Sequence, residues 1–133
     1  MRPTVVRPRI LIVDEDPDVL SLLRILLVLE GYQVAVWADR DGLQAAVETQ
    51  RPALVLIDPA FRDGDVMAVI GDLRRSDATR RIPVAVWSRD AAFLRAHATE
   101  LAALGITAGT KRSSRVDVLA RVRAGLAPPA AAS

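Results

Sequence analysis

The sequence predicts an α/β fold: a doubly wound, five-stranded parallel sheet with five helices. Five short runs, apolar through most of their length, alternate strictly with five stretches of helical periodicity. The clearest of these runs are continuously apolar rather than alternating, the pattern of strands covered on both faces. Strict β-α alternation places helices on both sides of a parallel sheet, and right-handed crossovers leave few topologies for it. With 133 residues, 51% of them hydrophobic, there is room for one domain with a packed core.

The first strand is Arg9–Asp14. Asp16 is placed to cap the helix that follows, Pro17 fits its first turn and Gly31 its stop, giving a helix over Pro17–Glu30. At about 100° per residue, Val19, Leu20, Leu22, Leu23, Leu26 and Leu27 form one wide inward face. Ile25, Val28 and Leu29 fall on the opposite side, which makes them candidates for a homodimer or partner contact. Gln33–Trp37 is the second strand. A helix over Arg40–Gln50 carries Leu43, Ala46, Val47 and Gln50 at i, i+3, i+4, i+7. Leu54–Asp58 then forms the third strand and Val66–Arg75 the third helix. Pro83–Ser88 is the fourth strand, Asp90–Leu104 the fourth helix and Ile106–Thr110 the fifth strand. The last helix, Ser114–Leu126, has Ser113 and Ser114 as caps and Val116, Leu119, Val122 and Leu126 as its inward face. Residues 1–8 read as an N-terminal extension, 9–126 as the domain, and 127–133 as a flexible tail.

Composition excludes several chemistries. There is no cysteine, hence no disulfide and no thiolate site, and His97 is the one histidine. His97 reads as a surface residue, with Asp90 and Glu100 its only polar neighbours at helical spacing. No apolar run is long enough to span a bilayer, and the N-terminus lacks a signal-like apolar region, so a cytoplasmic location away from membranes is expected. Residues 1–73 carry seven Arg against twelve Asp and Glu, whereas residues 74–133 carry eleven basic against four acidic groups. No basic run is interleaved with aromatics, so direct nucleic-acid binding is not expected. Trp87 reads as core and Trp37, at a strand end, as packing or rim.

In a doubly wound sheet, ligands bind beyond the carboxyl ends of the strands. There the first strand delivers Asp14, Glu15 and Asp16, the third Asp58, the fourth Ser88 and the fifth Lys111. Clustered carboxylates repel unless a cation neutralises them, and an all-oxygen donor set suits a hard ion such as Mg²⁺. Mg²⁺ keeps open positions for phosphate oxygens, so the set suits a phosphoryl group: a carboxylate to attack, a hydroxyl to donate, an ammonium to neutralise. Lys111 is the single lysine among eighteen basic residues. A compact ammonium fits a tight phosphate site that a planar guanidinium would crowd.

These residues carry a resemblance. Ile10-Leu-Ile-Val-Asp-Glu-Asp-Pro-Asp-Val-Leu, Glu-Gly-Tyr at 30–32, Arg-Pro-Ala-Leu-Val-Leu-Ile-Asp58, Ala78-Thr-Arg-Arg-Ile-Pro-Val and Lys111 together resemble the receiver domain of bacterial two-component response regulators. The likeness covers roughly residues 8–126. It implies a flavodoxin-like sheet in the order 2-1-3-4-5. It also implies that Asp58 accepts a phosphoryl group from a sensor histidine kinase, a phosphotransfer protein or a small donor. Asp14, Glu15, Asp58 and the Ala60 carbonyl are then the Mg²⁺ ligands, and Ser88 and Lys111 close on the phosphoryl group. On this likeness the chain is expected to work as a single-domain regulator that signals to a downstream protein by contact.

The sequence also departs from that family. Glu15 stands where Asp is usual, Pro59 follows the acceptor, Arg62 and Val66 alter the next loop, and Ala108 replaces an aromatic that moves on activation. Arg112 replaces a Pro after Lys111, so no cis peptide is expected there. Arg89 stands beside Ser88 where a small residue is general; guarding Asp58, contacting phosphate and simple solvation are all open to it. Ala60 has no side chain to orient water, which implies a long-lived aspartyl phosphate. The departures make a degenerate receiver, acting as an interaction module without phosphorylation, the alternative function. A Mg²⁺ phosphatase is disfavoured, because no acid stands two residues beyond Asp58.

Overall fold

The computed structural model describes residues 7–38, 41–60, 65–110 and 115–126. Its elements are β1 (Arg9–Val13), α1 (Pro17–Leu29), β2 (Gln33–Trp37), α2 (Leu43–Gln50), β3 (Leu54–Ile57), α3 (Val66–Arg75), β4 (Val84–Ser88), α4 (Ala91–Ala96), α5 (Ala98–Ala103), β5 (Thr107–Thr110) and α6 (Arg115–Leu126). The strands form one parallel sheet in the order β2-β1-β3-β4-β5.

Side chains of a strand alternate between faces, and here the alternation divides the core in two. Leu11, Val13, Val55, Ile57, Val84 and Val86 pack with Leu43 and Val47 of α2, Ile70 and Leu73 of α3, and Leu101 of α5. Ile10, Ile12, Leu54, Leu56, Ala85 and Trp87 pack with Leu20, Leu23 and Leu27 of α1 and Val118, Leu119 and Val122 of α6. Trp87 is thus core, as its position on a buried strand implied, and its ring N–H faces Asp117 Oδ2 at 3.4 Å.

Local signals explain the boundaries of α1. The Asp16 carboxylate accepts the Asp18 and Val19 N–H groups, Pro17 opens the helix, and Gly31 follows at φ 95°. The second helix starts at Leu43 rather than Arg40. Gly42 precedes it at φ 74°, and a Cβ there would stand 3.1 Å from the Trp37 ring, so this turn favours glycine. Arg40 lies outside the described residues.

Three expectations are corrected. The fourth helix is two helices, not one, making six among the described residues: His97 leaves helical geometry at φ −109°, ψ 8° and ends α4 as it begins α5. Its ring lies 4.5 Å from Phe93 and its Nδ1 3.4 Å from Glu100, contacts that hold the break without any Gly or Pro. Leu22 is 58% exposed, not inward, because the buried face of α1 centres on Leu20, Leu23 and Leu27, with Val19 and Leu26 partly buried at its edge and Leu22 turned away from it. In α6, Val118, which the sequence reading leaves out of the inward face, joins Leu119 and Val122 in the core, and Leu126 packs half-buried against it as expected. Ser113, Ser114 and the Val116 side chain lie outside the described residues.

At the amino end of the sheet Arg74 ties three segments. Its Nε donates to Leu104 O at 2.8 Å, and its Nη1 to Ile82 O at 2.8 Å and Arg80 O at 3.3 Å. Burial pushes its guanidinium below the ordinary arginine pKa. Nearby, the buried Thr79 hydroxyl donates to Leu73 O at 2.7 Å and accepts from Gln44 Nε2 at 3.1 Å, fastening the loop after α3 to α2.

Candidate functional site

In this strand order the chain turns from one side of β1 to the other, so the switch point lies between β1 and β3. Asp14 follows β1 and Asp58 follows β3, one on each lip of the switch. The ladders run one residue past both strands: Asp14 N donates to Trp37 O at 3.1 Å and Asp58 N to Val13 O at 2.9 Å. These bonds fix the backbone that carries each carboxylate.

The crevice above them has a volume of about 750 Å³ and is lined by Asp14, Glu15, Asp16, Asp58, Ala60, Ser88, Arg89 and Asp90, among others. Its acidic walls are set by short turns. Asp14 Oδ1 accepts Asp16 N and Asp58 Oδ1 accepts Ala60 N, each at 2.9 Å. Ser88 closes β4, and its Oγ accepts Asp90 N at 2.9 Å while Asp90 Oδ1 accepts Phe93 N at 3.0 Å and caps α4. Asp14 and Ser88 are buried, 6% and 2% exposed, whereas Asp58 and Glu15 are half-buried. Asp14, Glu15 and Asp58 each make further polar contacts.

Asp14, Glu15, Asp58, Ala60 and Ser88 thus meet in one crevice. Lys111, placed by the sequence at the end of β5, lies outside the described residues, as do Arg62 and Arg112. Among the described residues no three acidic or imidazole groups lie close enough to cage a metal alone. The donors are carboxylate and carbonyl oxygens, which fits Mg²⁺ held by few protein ligands, with water or phosphate oxygens completing its sphere.

One family model matches most of the chain that carries this fold and crevice. The model of the response regulator receiver domain covers residues 10–123. The chain is a response regulator receiver domain. Its relatives include the DNA-binding dual master transcriptional regulator RpaA of Synechocystis sp., 38% identical over 77 residues, which are 58% of this chain and 32% of RpaA. The DNA-binding response regulator MtrA of Mycolicibacterium smegmatis is 42% identical over 67 residues, 48% of this chain and 29% of MtrA. The chain therefore spans about a third of the length of these curated relatives. Among solved structures, chemotaxis response regulator CheY4 of Vibrio cholerae shares the fold at TM-score 0.80 and 16% identity, over 91% of this chain and all of that one. The BeF3-activated N-terminal receiver domain of Klebsiella pneumoniae RstA matches at TM-score 0.76 and 25% identity, over 90% of this chain and 99% of that one.

Magnesium and phosphorylation are typical of receivers, and receivers interact with histidine kinases or phosphotransfer proteins. In this receiver the edge strand β5 is stripped of bulk. Ala108 is exposed, and the Arg121 guanidinium lies where a Cβ on Gly109 would stand. Sequence reasoning missed Asp90 as a wall of the crevice. The signal was present, since an Asp two residues beyond a strand-ending Ser and just before a helical run is a cap. No helix of the described residues is long and apolar enough to cross a membrane.

Proposed function

We propose that this receiver accepts a phosphoryl group on Asp58 from a sensor histidine kinase or phosphotransfer protein in the cytoplasm, and passes the signal on by protein contact. The observation that carries this reading is the meeting of Asp14, Asp58 and Ser88 at the switch point, on backbone pinned by the sheet. A carboxylate oxygen of Asp58 attacks phosphorus while the donor's leaving group departs with its electron pair. Ser88 is suited to donate to the phosphoryl oxygen, since its Oγ accepts from Asp90 N and its own proton serves no described residue. Lys111 is assigned the balancing positive charge. Asp14, Glu15, Asp58 and the Ala60 carbonyl would hold Mg²⁺, which supplies charge neutralisation when bound.

For the contact itself we assign the outer face of α1. Leu22, Ile25, Val28 and Leu29 are 51–72% exposed and lie on one side over two turns. With β5 lacking an aromatic, α1 offers the larger apolar surface for a second copy or a partner.

Incubation with acetyl phosphate and Mg²⁺, read by intact mass, tests the reading. One added phosphoryl group, absent from Asp58→Asn, is the expected result. No mass gain in the wild type supports the degenerate interaction module instead.

A further inference from the structure

The crevice is acidic and has one described cation. Asp14, Glu15, Asp16, Asp58 and Asp90 line it, and among the described residues only Arg89 opposes them. Any phosphodonor is itself an anion and meets this field on entry.

Arg89 is built into the wall yet is not used by it. On one side Ser88 is buried at 2% exposure, and on the other Asp90 N is bonded to Ser88 Oγ and the Asp90 carboxylate caps α4. Its backbone is therefore held at both neighbours. Its side chain is exposed and makes no hydrogen bond or ion pair among the described residues. An exposed arginine among five carboxylates that pairs with none of them leaves all its donors open to an arriving anion. A guanidinium presents a planar fork that matches two oxygens of a phosphoryl group.

We propose that Arg89 recruits and orients the phosphodonor: its guanidinium takes the oxygens of an incoming dianionic phosphoryl group and holds the phosphorus toward Asp58. This rests on the reading of Asp58 as phosphoacceptor. With acetyl phosphate, an oxygen lone pair of Asp58 forms the new O–P bond. The O–P bond to the acetyl group breaks, and acetate leaves with the electron pair. Arg89 stays protonated throughout, so no proton changes hands at it.

One unit charge about 6 Å from a dianion in a water-filled cleft changes its occupancy about tenfold, and salt screens that effect. The experiment compares wild type, Arg89→Ala and Arg89→Lys by rate of mass gain from acetyl phosphate at low and high ionic strength. Phosphoramidate, which carries less net negative charge, serves as second donor, and beryllofluoride titration followed by tryptophan fluorescence reads binding apart from turnover. Arg89→Ala should lose about tenfold with acetyl phosphate at low salt, less at high salt and less with phosphoramidate. It should also bind beryllofluoride more weakly. Arg89→Lys should recover most of the rate, and all three proteins should melt alike. A wild type that gains the group no faster than Arg89→Ala at every salt concentration overturns this inference alone. A wild type that gains none overturns the Asp58 reading, and this inference with it.

Discussion

Arg74 offers a measurement of how the sheet is held in register beneath the site. Replacing it by Ala removes two hydrogen bonds of 2.8 Å and one of 3.3 Å, all from a charged donor to carbonyls of two segments, the loop before β4 and the end of α5. Hydrogen bonds to charged groups are worth about 1.5–3 kcal/mol each when buried, and the group is only half-buried, so the lower value applies to the two short ones. The sum is about 3 kcal/mol, a sizeable part of the 5–15 kcal/mol that holds a typical domain. In a chain of this size that lowers the melting temperature by about 10 °C. Urea unfolding followed by tryptophan fluorescence gives the same quantity at fixed temperature. Arg74→Lys should recover less than half, because one ammonium cannot span the Leu104 and Ile82 carbonyls together. A loss below about 0.5 kcal/mol, the usual range for an exposed residue, refutes the clamp, as does full recovery by Lys. Burial lowers the folded pKa of this group, so the folded state releases its proton before the unfolded one does. The charge-burial penalty is then relieved only as pH rises through that folded value, on the strongly alkaline side, and the loss in Arg74→Ala should not vary with pH near neutrality.

Gly125→Ala should destabilise by about 1 kcal/mol, although alanine ordinarily favours a helix, because the new Cβ would meet Leu54 Cδ1 at 2.7 Å in the core; chemical unfolding decides the sign. Ile25→Glu with Val28→Glu should leave folding intact and abolish concentration-dependent mass in light scattering or binding to a captured partner. Unchanged mass together with unchanged partner binding would sink the α1 contact. The aspartyl phosphate should be long-lived, since exposed Ala60 presents no polar side chain to a water, and Ala60→Asn should shorten its lifetime several-fold when intact mass is followed after donor removal.

The sheet was legible because buried parallel strands write themselves as unbroken apolar runs: Ile10–Val13 and Leu54–Ile57 admit no other periodicity. Helix ends were legible where chemistry marks them, as at Asp16, Pro17 and Gly31. The break at His97 was not, since its residues are all good helix formers or neutral ones and the contacts that hold it, to Phe93 and Glu100, are made locally by rotamer choice. Leu22 was misplaced because an apolar arc on a wheel shows what can be buried, not how wide the neighbouring surface is. Within the site, Asp14, Asp58 and Ser88 were readable as strand-end residues. The role of Asp90 depended on a turn, which strand counting does not see.

The division at His97 also bears on how far a motion at Ser88 can travel. Ser88 grips Asp90, and Asp90 grips the first turn of α4, so the hydroxyl is coupled mechanically to a helix. That helix has six residues, about 9 Å of rigid rod, before the hinge-like joint. A single helix over the same span would carry a tilt undiminished to Leu104. A break at His97 takes up part of that tilt, so the displacement falls first on α4 and on the strand β5 against which α4 packs.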